Sequence, residues 1–452
     1  MSGRFTAVDY EATLEQTVRL GDCLPPDHLA RFVVDVVAQL DFTAISARYG
    51  ARGGAAYAPE VLFGLLVYGY ATGVFSTRKI ERATYESAPF RYLAGNRHPD
   101  HDTLATFRKT FLGEIQGLFV QVLLLAQASG VLQLGTISLD GTKVHADAAK
   151  SKAVSYKRLG ELEQQLRAEV AALFALGEQA DRGALPDGLV VADELARRQE
   201  RLARLAEAKA VLEERARERD ALEQAAYDAK VREREAKARR KGRPPRGRPP
   251  APPTPGPRDK DQYNFTDPDS RIMKRSTDHG FDQQYNGQVA VEQASLLIVG
   301  HSLSNHANDQ AEVAPTVAAI PAALGTPDAA ALDNGYFGEP NIRALETRGI
   351  VPYIATGREP HHQGWAAYFA AAPAPPPEGA SLKERMAYRL RTDAGKAIYR
   401  LRKCTVEPVI GIIKEVPGFR QFSLRGLAAA AGEWGLVCLA WNLKRLHRLT
   451  LG

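Results

Sequence analysis

The spacing of apolar positions changes several times along the chain, and each change predicts a different kind of element. From Pro25 to about Leu134 the spacing is helical: Leu29, Phe32, Val33, Val36, Val37 and Leu40 recur at three and four and make one apolar stripe. Pro59 suits the first turn of a second helix that buries Val61, Leu62, Leu65, Leu66 and Val67. Ser76 or Thr77 can cap a third, Arg78 to Glu86, which ends before Pro89. A fourth starts near Asp102 or Thr103 and carries Phe107, Arg108, Lys109, Phe111 and Leu118. At Thr136-Ile137-Ser138-Leu139-Asp140-Gly141 the pattern becomes that of a buried β-branched strand ending in a carboxylate and a turn. Ala329 to Asp333, followed by Asn334-Gly335, has the same shape.

Between these strands the period returns to helical. Leu159, Leu162, Leu166, Val170 and Leu173 mark one amphipathic helix, and Leu195, Leu202, Leu205 and Leu212 a second, with a break at Gly183 to Gly188 around Pro186. Together they predict an antiparallel helical hairpin or coiled-coil arm. Lys237 to Pro257 is rich in Pro and Arg, cannot pack a core, and reads as a flexible, polyproline-like linker. Gln288 to Val291 and Leu296 to Gly300 predict a hairpin, Asn308 to Leu324 a helix, Pro340 to Arg348 another, and Val351 to Ile354 a short strand. The last helix, Leu427 to Leu449, has Trp434, Leu436, Leu439, Trp441 and Leu443 on its apolar side, with both tryptophans read as core anchors. The order is that of a mixed sheet with helices on its faces.

Composition changes this picture only a little. The 452 residues are enough for two or three domains, and 44% hydrophobic with 25% charged is ordinary for a soluble protein. The 59 basic and 53 acidic residues give a net charge of +6, which leans mildly toward a polyanionic partner. Cys23, Cys404 and Cys438 lack metal or redox spacing and predict reduced thiols in a cytosol. No stretch reads as a signal peptide or a membrane span, so a cytoplasmic location, without membrane partners, is expected.

Three acids stand out. Asp140 and Asp333 are expected to end strands, and Thr405 to Lys414 to open an apolar helix with Glu407 in its first turn. Such hard oxygen donors suit Mg²⁺ or Mn²⁺. The same three residues also suit plain strand-end turns and a helix N-terminal acid. The paired bases Arg78 with Lys79 and Arg108 with Lys109 fit either a helix-turn-helix-like DNA contact or solvated faces of a bundle. Arg246 and Arg248, within Arg-Gly-Arg-Pro, resemble an AT-hook core and equally fit a basic spacer. His361 and His362 have no third ligand nearby in sequence and read as surface.

The ordered motifs carry a resemblance over nearly the whole chain. They are His101-Asp102-Thr103-Leu104-Ala105-Thr106-Phe107-Arg108, Leu139-Asp140-Gly141-Thr142-Lys143, Thr266-Asp267-Pro268-Asp269-Ser270, Gly280-Phe281 to Tyr285-Asn286, Ala307-Asn308-Asp309-Gln310, Asp333-Asn334-Gly335-Tyr336, Val406-Glu407-Pro408 and the Trp434 helix. In this order the chain resembles insertion-sequence transposases of the DDE type, close to the IS1182 group among IS5/IS4-like families. The resemblance implies an α/β, RNase H-like mixed sheet flanked by helices, with an all-α N-terminal domain and a helical-hairpin insertion after the first strand. It implies a DNA-binding domain over 1–134, a catalytic domain over 135–150 and 259–425, the hairpin and its linker over 151–258, and a C-terminal helix over 426–452 packed on the catalytic domain.

It further implies that Asp140, Asp333 and Glu407 hold two Mg²⁺ ions, or Mn²⁺ in their place, and that the enzyme cuts its element's ends and joins the 3′-hydroxyls to target DNA. The implied partners are the element's terminal inverted repeats, target DNA and a second copy of the chain, in a bacterial cytoplasm and on the nucleoid. Related families carry a Tyr, Arg, Glu, Lys signature around the last acid. Glu407 and Lys414 keep its spacing, Tyr399 and Arg402 are present, and Arg402 lies one residue further from Glu407 than the pattern asks, where Lys403 has the expected offset. Tyr399, Arg402 or Lys403, Lys414 and Lys143 are accordingly expected to meet DNA.

Overall fold

A computed structural model describes residues 19–49, 56–180, 190–244, 247–274, 280–357 and 374–451. The Gly183–Gly188 break, Arg246 and the His361–His362 pair lie outside the described residues. The chain forms two units, one made of 1–144 with 285–452 and the other of 145–284.

The first unit begins with helices α1 (Leu29–Val37), α2 (Thr43–Ser46), α3 (Pro59–Thr72), α4 (Thr77–Glu86), α5 (Ala88–Leu93), α6 (His101–Thr110) and α7 (Leu112–Ala128). α3 is apolar all round and so sits inside, with Leu62, Phe63, Leu65 and Leu66 buried. The fourth helix expected from the spacing is two, because the chain breaks at Phe111 between α6 and α7. Among the described residues no single helix is long and apolar enough to cross a membrane.

Strand β1 (Thr136–His145) follows. In the second unit come β2 (Ala153–Ser155), α8 (Tyr156–Ala180), α9 (Val191–Lys241), β3 (Gln262–Asn264) and β4 (Arg271–Lys274). Helices α8 and α9 pack on each other through Leu159, Leu166, Leu205, Ala208 and Leu212, closed at one end by Tyr263 of β3. Arg198 to Glu169 (2.9 Å) and Lys209 to Glu163 (3.1 Å) cross between them. The Pro/Arg tract differs from the free linker its composition suggests. Arg234 donates to the carbonyls of Gly247 (2.6 Å) and Arg248 (3.0 Å), Asp220 accepts from the Gly256 amide, and Arg258 pairs with Glu223. The tract is thus tied back along α9, whose side chains supply the donors and acceptors that a proline-rich backbone cannot supply to itself.

The first unit resumes along β5 (Phe281–Glu292) and continues with β6 (Ile298–Ser304), α10 (Val313–Ala318), β7 (Ala329–Leu332), α11 (Glu339–Glu346), β8 (Val351–Ile354), α12 (Leu382–Arg391), α13 (Asp393–Glu415) and α14 (Leu427–Thr450). The helix expected over Asn308 to Leu324 is only the six residues of α10, since Pro321 has no amide to continue it. The fold is mixed α/β, with strand order β6–β5–β1–β7–β8. β5 and β6 are antiparallel, and β1, β7 and β8 run parallel. α14 packs against α3, α7 and β6, with Trp434 fully buried and its indole N–H donating to the Gln288 carbonyl at 3.1 Å.

His301 on β6 is buried edge-on to Phe119, their ring centres 4.9 Å apart, and its Nε2 has no hydrogen-bond partner among the described residues. Burial lowers its pKa to about 4. The unfolded chain takes up that proton near pH 6.5, so the stability held above this pH is lost as the pH falls toward 4, by about 3 kcal/mol in all. Urea unfolding from pH 7 to pH 4 should show this loss in the wild type, and His301→Met should lack it.

Candidate catalytic site

The register of the two parallel strands builds the centre of the site. Leu139 of β1 lies opposite Leu332 of β7, so Asp140 and Asp333, the next residues, stand at the same level; Asp333 ends its strand as expected, but Asp140 does not, since β1 runs on to His145 along β5. Asp333 caps a short 3₁₀ turn, Asn334–Tyr336, by accepting from the Gly335 amide at 2.8 Å. Asp140 accepts from the Gly141 amide at 2.8 Å.

Helix α13 lies against this part of the sheet, and because it starts at Asp393, Glu407 stands well inside it and not in a first turn as the apolar run suggests. Thr392 caps its start, and Gly395 is required there, since a Cβ would stand 2.0 Å from the Arg389 carbonyl. Val406, Val409 and Ile413 are buried, and Thr405 donates to the Ser138 hydroxyl at 2.8 Å. Arg402 is thereby brought beneath the acids. One guanidinium nitrogen reaches Asp140 at 2.9 Å and another reaches Glu407 at 2.8 Å. Two turns on, Lys414 donates to the Lys143 carbonyl at 2.8 Å.

Burial raises the Asp140 pKa to about 6, against the pull of Arg402 and with the help of the Asp333 charge. For Arg402 burial works against the charge, but Asp140, Tyr399, Glu407 and Asp333 outweigh it and its pKa is raised. A single buried cation therefore feels all three acids. Among the described residues no three acid, His or Cys side chains are closed up around one point as a finished metal site. The donor set nevertheless fits a hard divalent cation, because the Asp140 and Glu407 carboxylates share one positive group and Asp333 follows the strand residue paired beside Leu139.

Behind Asp140, on the other face of β1, lies a polar cluster that reading the sequence missed as a unit. Asp309 Oδ1 accepts from Asn286 (2.7 Å), Gln288 (2.8 Å) and Lys143 (3.4 Å), while the Tyr336 hydroxyl donates to Gln288 Oε1 at 2.5 Å. Gly141 leaves room for it: a Cβ there would stand 2.2 Å from Gln288 Nε2 and 2.9 Å from Asp309. The available signal was Asn286-Gly287-Gln288, polar residues alternating inside a strand.

The expected DNA-facing residues separate. Arg78, Lys79, Lys109 and Lys403 are exposed, as is Arg248 in the second unit. Tyr399, Lys143 and Lys414 are half-buried, and burial lowers both lysine pKa values. Arg402 is buried under the acids. Arg108 is also inside, donating to the Tyr70 hydroxyl at 2.8 Å and lying 3.9 Å from the buried Glu433. Phe107 and Leu104 pull that face of α6 inward, which turns Arg108 into the core and leaves Lys109 outside.

The site thus brings two aspartates of adjacent parallel strands and a helix glutamate around one buried arginine. Residues 18–110 match a transposase domain (DUF772), and residues 376–447 match a transposase DDE domain. The second span contains Glu407, Arg402 and Lys414; Asp140 and Asp333 lie outside both. Comparison with curated proteins and with solved structures gave no match. The two matches, one over the N-terminal helices and one over the C-terminal ones, support an insertion-sequence transposase of the DDE type and DNA as its partner.

Proposed function

We propose that this transposase cuts the ends of its own insertion sequence and transfers the freed 3′-hydroxyls to target DNA, using Asp140, Asp333 and Glu407 as the carboxylates of an RNase H-like catalytic domain. The observation that carries this reading is the pairing of Asp140 with Asp333 on adjacent parallel strands, with Glu407 held to Asp140 through one guanidinium. The strand order β6–β5–β1–β7–β8, antiparallel on one side of β1 and parallel on the other, supports the RNase H-like assignment.

A pair of Mg²⁺ or Mn²⁺ ions held by these acids would stabilise charge on the entering and leaving oxygens of an in-line displacement. Asp140, Asp333 and Glu407 would hold them. Lys414, held by the Lys143 carbonyl, would line the site with positive charge for a phosphate, while the Lys143 ammonium pairs with Asp309 on the other face of β1. Arg78, Lys79, Lys109, Lys403 and Arg248 would meet phosphates elsewhere, with Tyr399 beside the acids. Residues 1–134 would serve as the DNA-binding domain, and the α8–α9 arm would offer a surface for the second copy that holds the other element end.

The direct test uses the full-length protein, duplex DNA carrying the element's terminal repeats, a target plasmid and Mg²⁺ or Mn²⁺. Metal-dependent nicking followed by joined products is expected. Cutting without joining would reduce the protein to a nuclease, and DNA binding without cutting would leave only a DNA-binding role.

A further inference from the structure

Arg402 sits where a cation belongs, and its surroundings are those of a group made to leave. Its guanidinium is the positive charge bonded to both Asp140 and Glu407, its pair with Glu407 is half-exposed, and its Nε is buried with no hydrogen-bond partner among the described residues. An unpaired buried N–H is costly, so this arginine is held less completely than its two charged bonds suggest. The backbone beneath it is also loosened. Pro408, inside α13, has no amide to give the Cys404 carbonyl, so the helix lacks one of its own bonds within the turns that separate Arg402 from the far side of Glu407. Finally, Arg402 is five residues before Glu407, a spacing that does not share a helix face, and it spans the gap only because its fork is long and planar.

We propose that Arg402 is a built-in counter-cation: it holds Asp140 and Glu407 together while no metal is bound, and exchanges with the divalent ion when the site is loaded. This rests on the reading of Asp140, Asp333 and Glu407 as metal ligands. It makes Arg402 a positioning residue whose role in the metal-free protein is to keep the acids from repelling one another and to keep the ligand set assembled. Exchange then returns a free guanidinium to the mouth of the site, beside Lys403, where the substrate's phosphates arrive.

The exchange has a thermodynamic signature that a permanent strut lacks. Removing the counter-cation must destabilise the metal-free protein and tighten metal binding by the same factor, so that the two effects cancel at saturation. The experiment measures Mn²⁺ binding to the full chain by calorimetry, and thermal unfolding in EDTA and in saturating Mn²⁺, for the wild type, Arg402→Gln, Arg402→Lys and Asp140→Asn. Arg402→Gln should bind Mn²⁺ about tenfold more tightly, having lost two charge-assisted bonds that compete with the ion. It should melt lower than the wild type in EDTA and together with it in saturating Mn²⁺. Arg402→Lys keeps the charge but not the fork, so it folds if the glutamine variant does not, and should tighten binding roughly threefold. Unchanged or weaker Mn²⁺ binding in the variants, with a melting deficit that persists at saturation, would overturn the exchange and make Arg402 a fixed strut. If the wild type binds no Mn²⁺, or Asp140→Asn binds it as well as the wild type, the ligand assignment itself fails and the exchange falls with it.

Discussion

Asp333→Asn should lower metal-dependent strand cleavage at least about 10³-fold, the scale on which removal of one transition-state charge stabiliser acts. Asparagine is the informative replacement. Its side-chain oxygen can still accept from the Gly335 amide, so the 3₁₀ turn that Asp333 caps survives, while the negative charge needed to hold a divalent ion is gone. Asp333→Ala removes both, and should cost about 1 kcal/mol of stability in addition to the same loss of cleavage. Binding to terminal-repeat DNA should change by less than about twofold, since an acid makes no attraction to phosphate and its loss does not reduce the salt dependence. Cleavage and binding measured on the same preparations separate the two effects. Wild-type cutting by the asparagine variant would remove Asp333 from the proposed site and direct attention to Asp309, the acid on the opposite face of β1.

Glu433→Ala should destabilise the first unit by about 3 to 5 kcal/mol, the usual result of taking one partner from a buried charge cluster. Glu433 is fully buried on α14 and accepts from the Tyr70 hydroxyl (2.6 Å), the Ser423 hydroxyl (2.6 Å) and the amides of Ser423 (2.9 Å) and Leu424 (3.0 Å). Burial, and then the Glu433 charge, hold the Tyr70 phenol well above its usual pKa, so the hydroxyl stays a donor. Alanine would strand two backbone amides and leave the Arg108 guanidinium buried without its counter-ion. Ser423→Ala, which removes one donor and strands no charge, should cost only about 1 kcal/mol. Urea unfolding of the two variants checks the ordering. Because α3, α6 and α14 meet at this cluster, its loss should also release the N-terminal helices from the C-terminal one.

The local chemistry of the strand ends was legible without a structure. An apolar run into Asp-Asn-Gly marks a buried strand that turns at a carboxylate, and β7 does so; β1 starts where its pattern puts it but continues through Asp140-Gly141 to His145, because β5 pairs along it. The amphipathic spacing of α8 and α9 and the aromatic anchors of α14 were legible for the same reason: side-chain period follows from backbone geometry alone. The Pro/Arg tract was not, since its composition says it cannot form a core and nothing about the donors and acceptors that α9 offers it. Nor was the length of α10, where Pro321 outweighed an otherwise helical composition.

The basic residues show the division most sharply. Arg108 and Lys109 are neighbours of the same charge, as are Arg402 and Lys403, and in each pair the arginine is buried and the lysine exposed. Charge alone does not separate them. Which one turns inward depends on the phase of the helix against its neighbours, and on whether a carboxylate from elsewhere in the chain waits there: Glu433, 325 positions from Arg108, and Asp140, 262 positions from Arg402. The sequence by itself determined most of the elements and their apolar faces, because these depend on residues a few positions apart, whereas Asp140 and Glu407 stand inside β1 and α13 and not at their ends. The tertiary structure alone decided that Asp140 and Asp333 stand side by side, that Arg402 lies between Asp140 and Glu407, and that Gln288 and Asp309 back Gly141. Those contacts depend on strand register and helix docking, which are settled by packing between segments hundreds of residues apart.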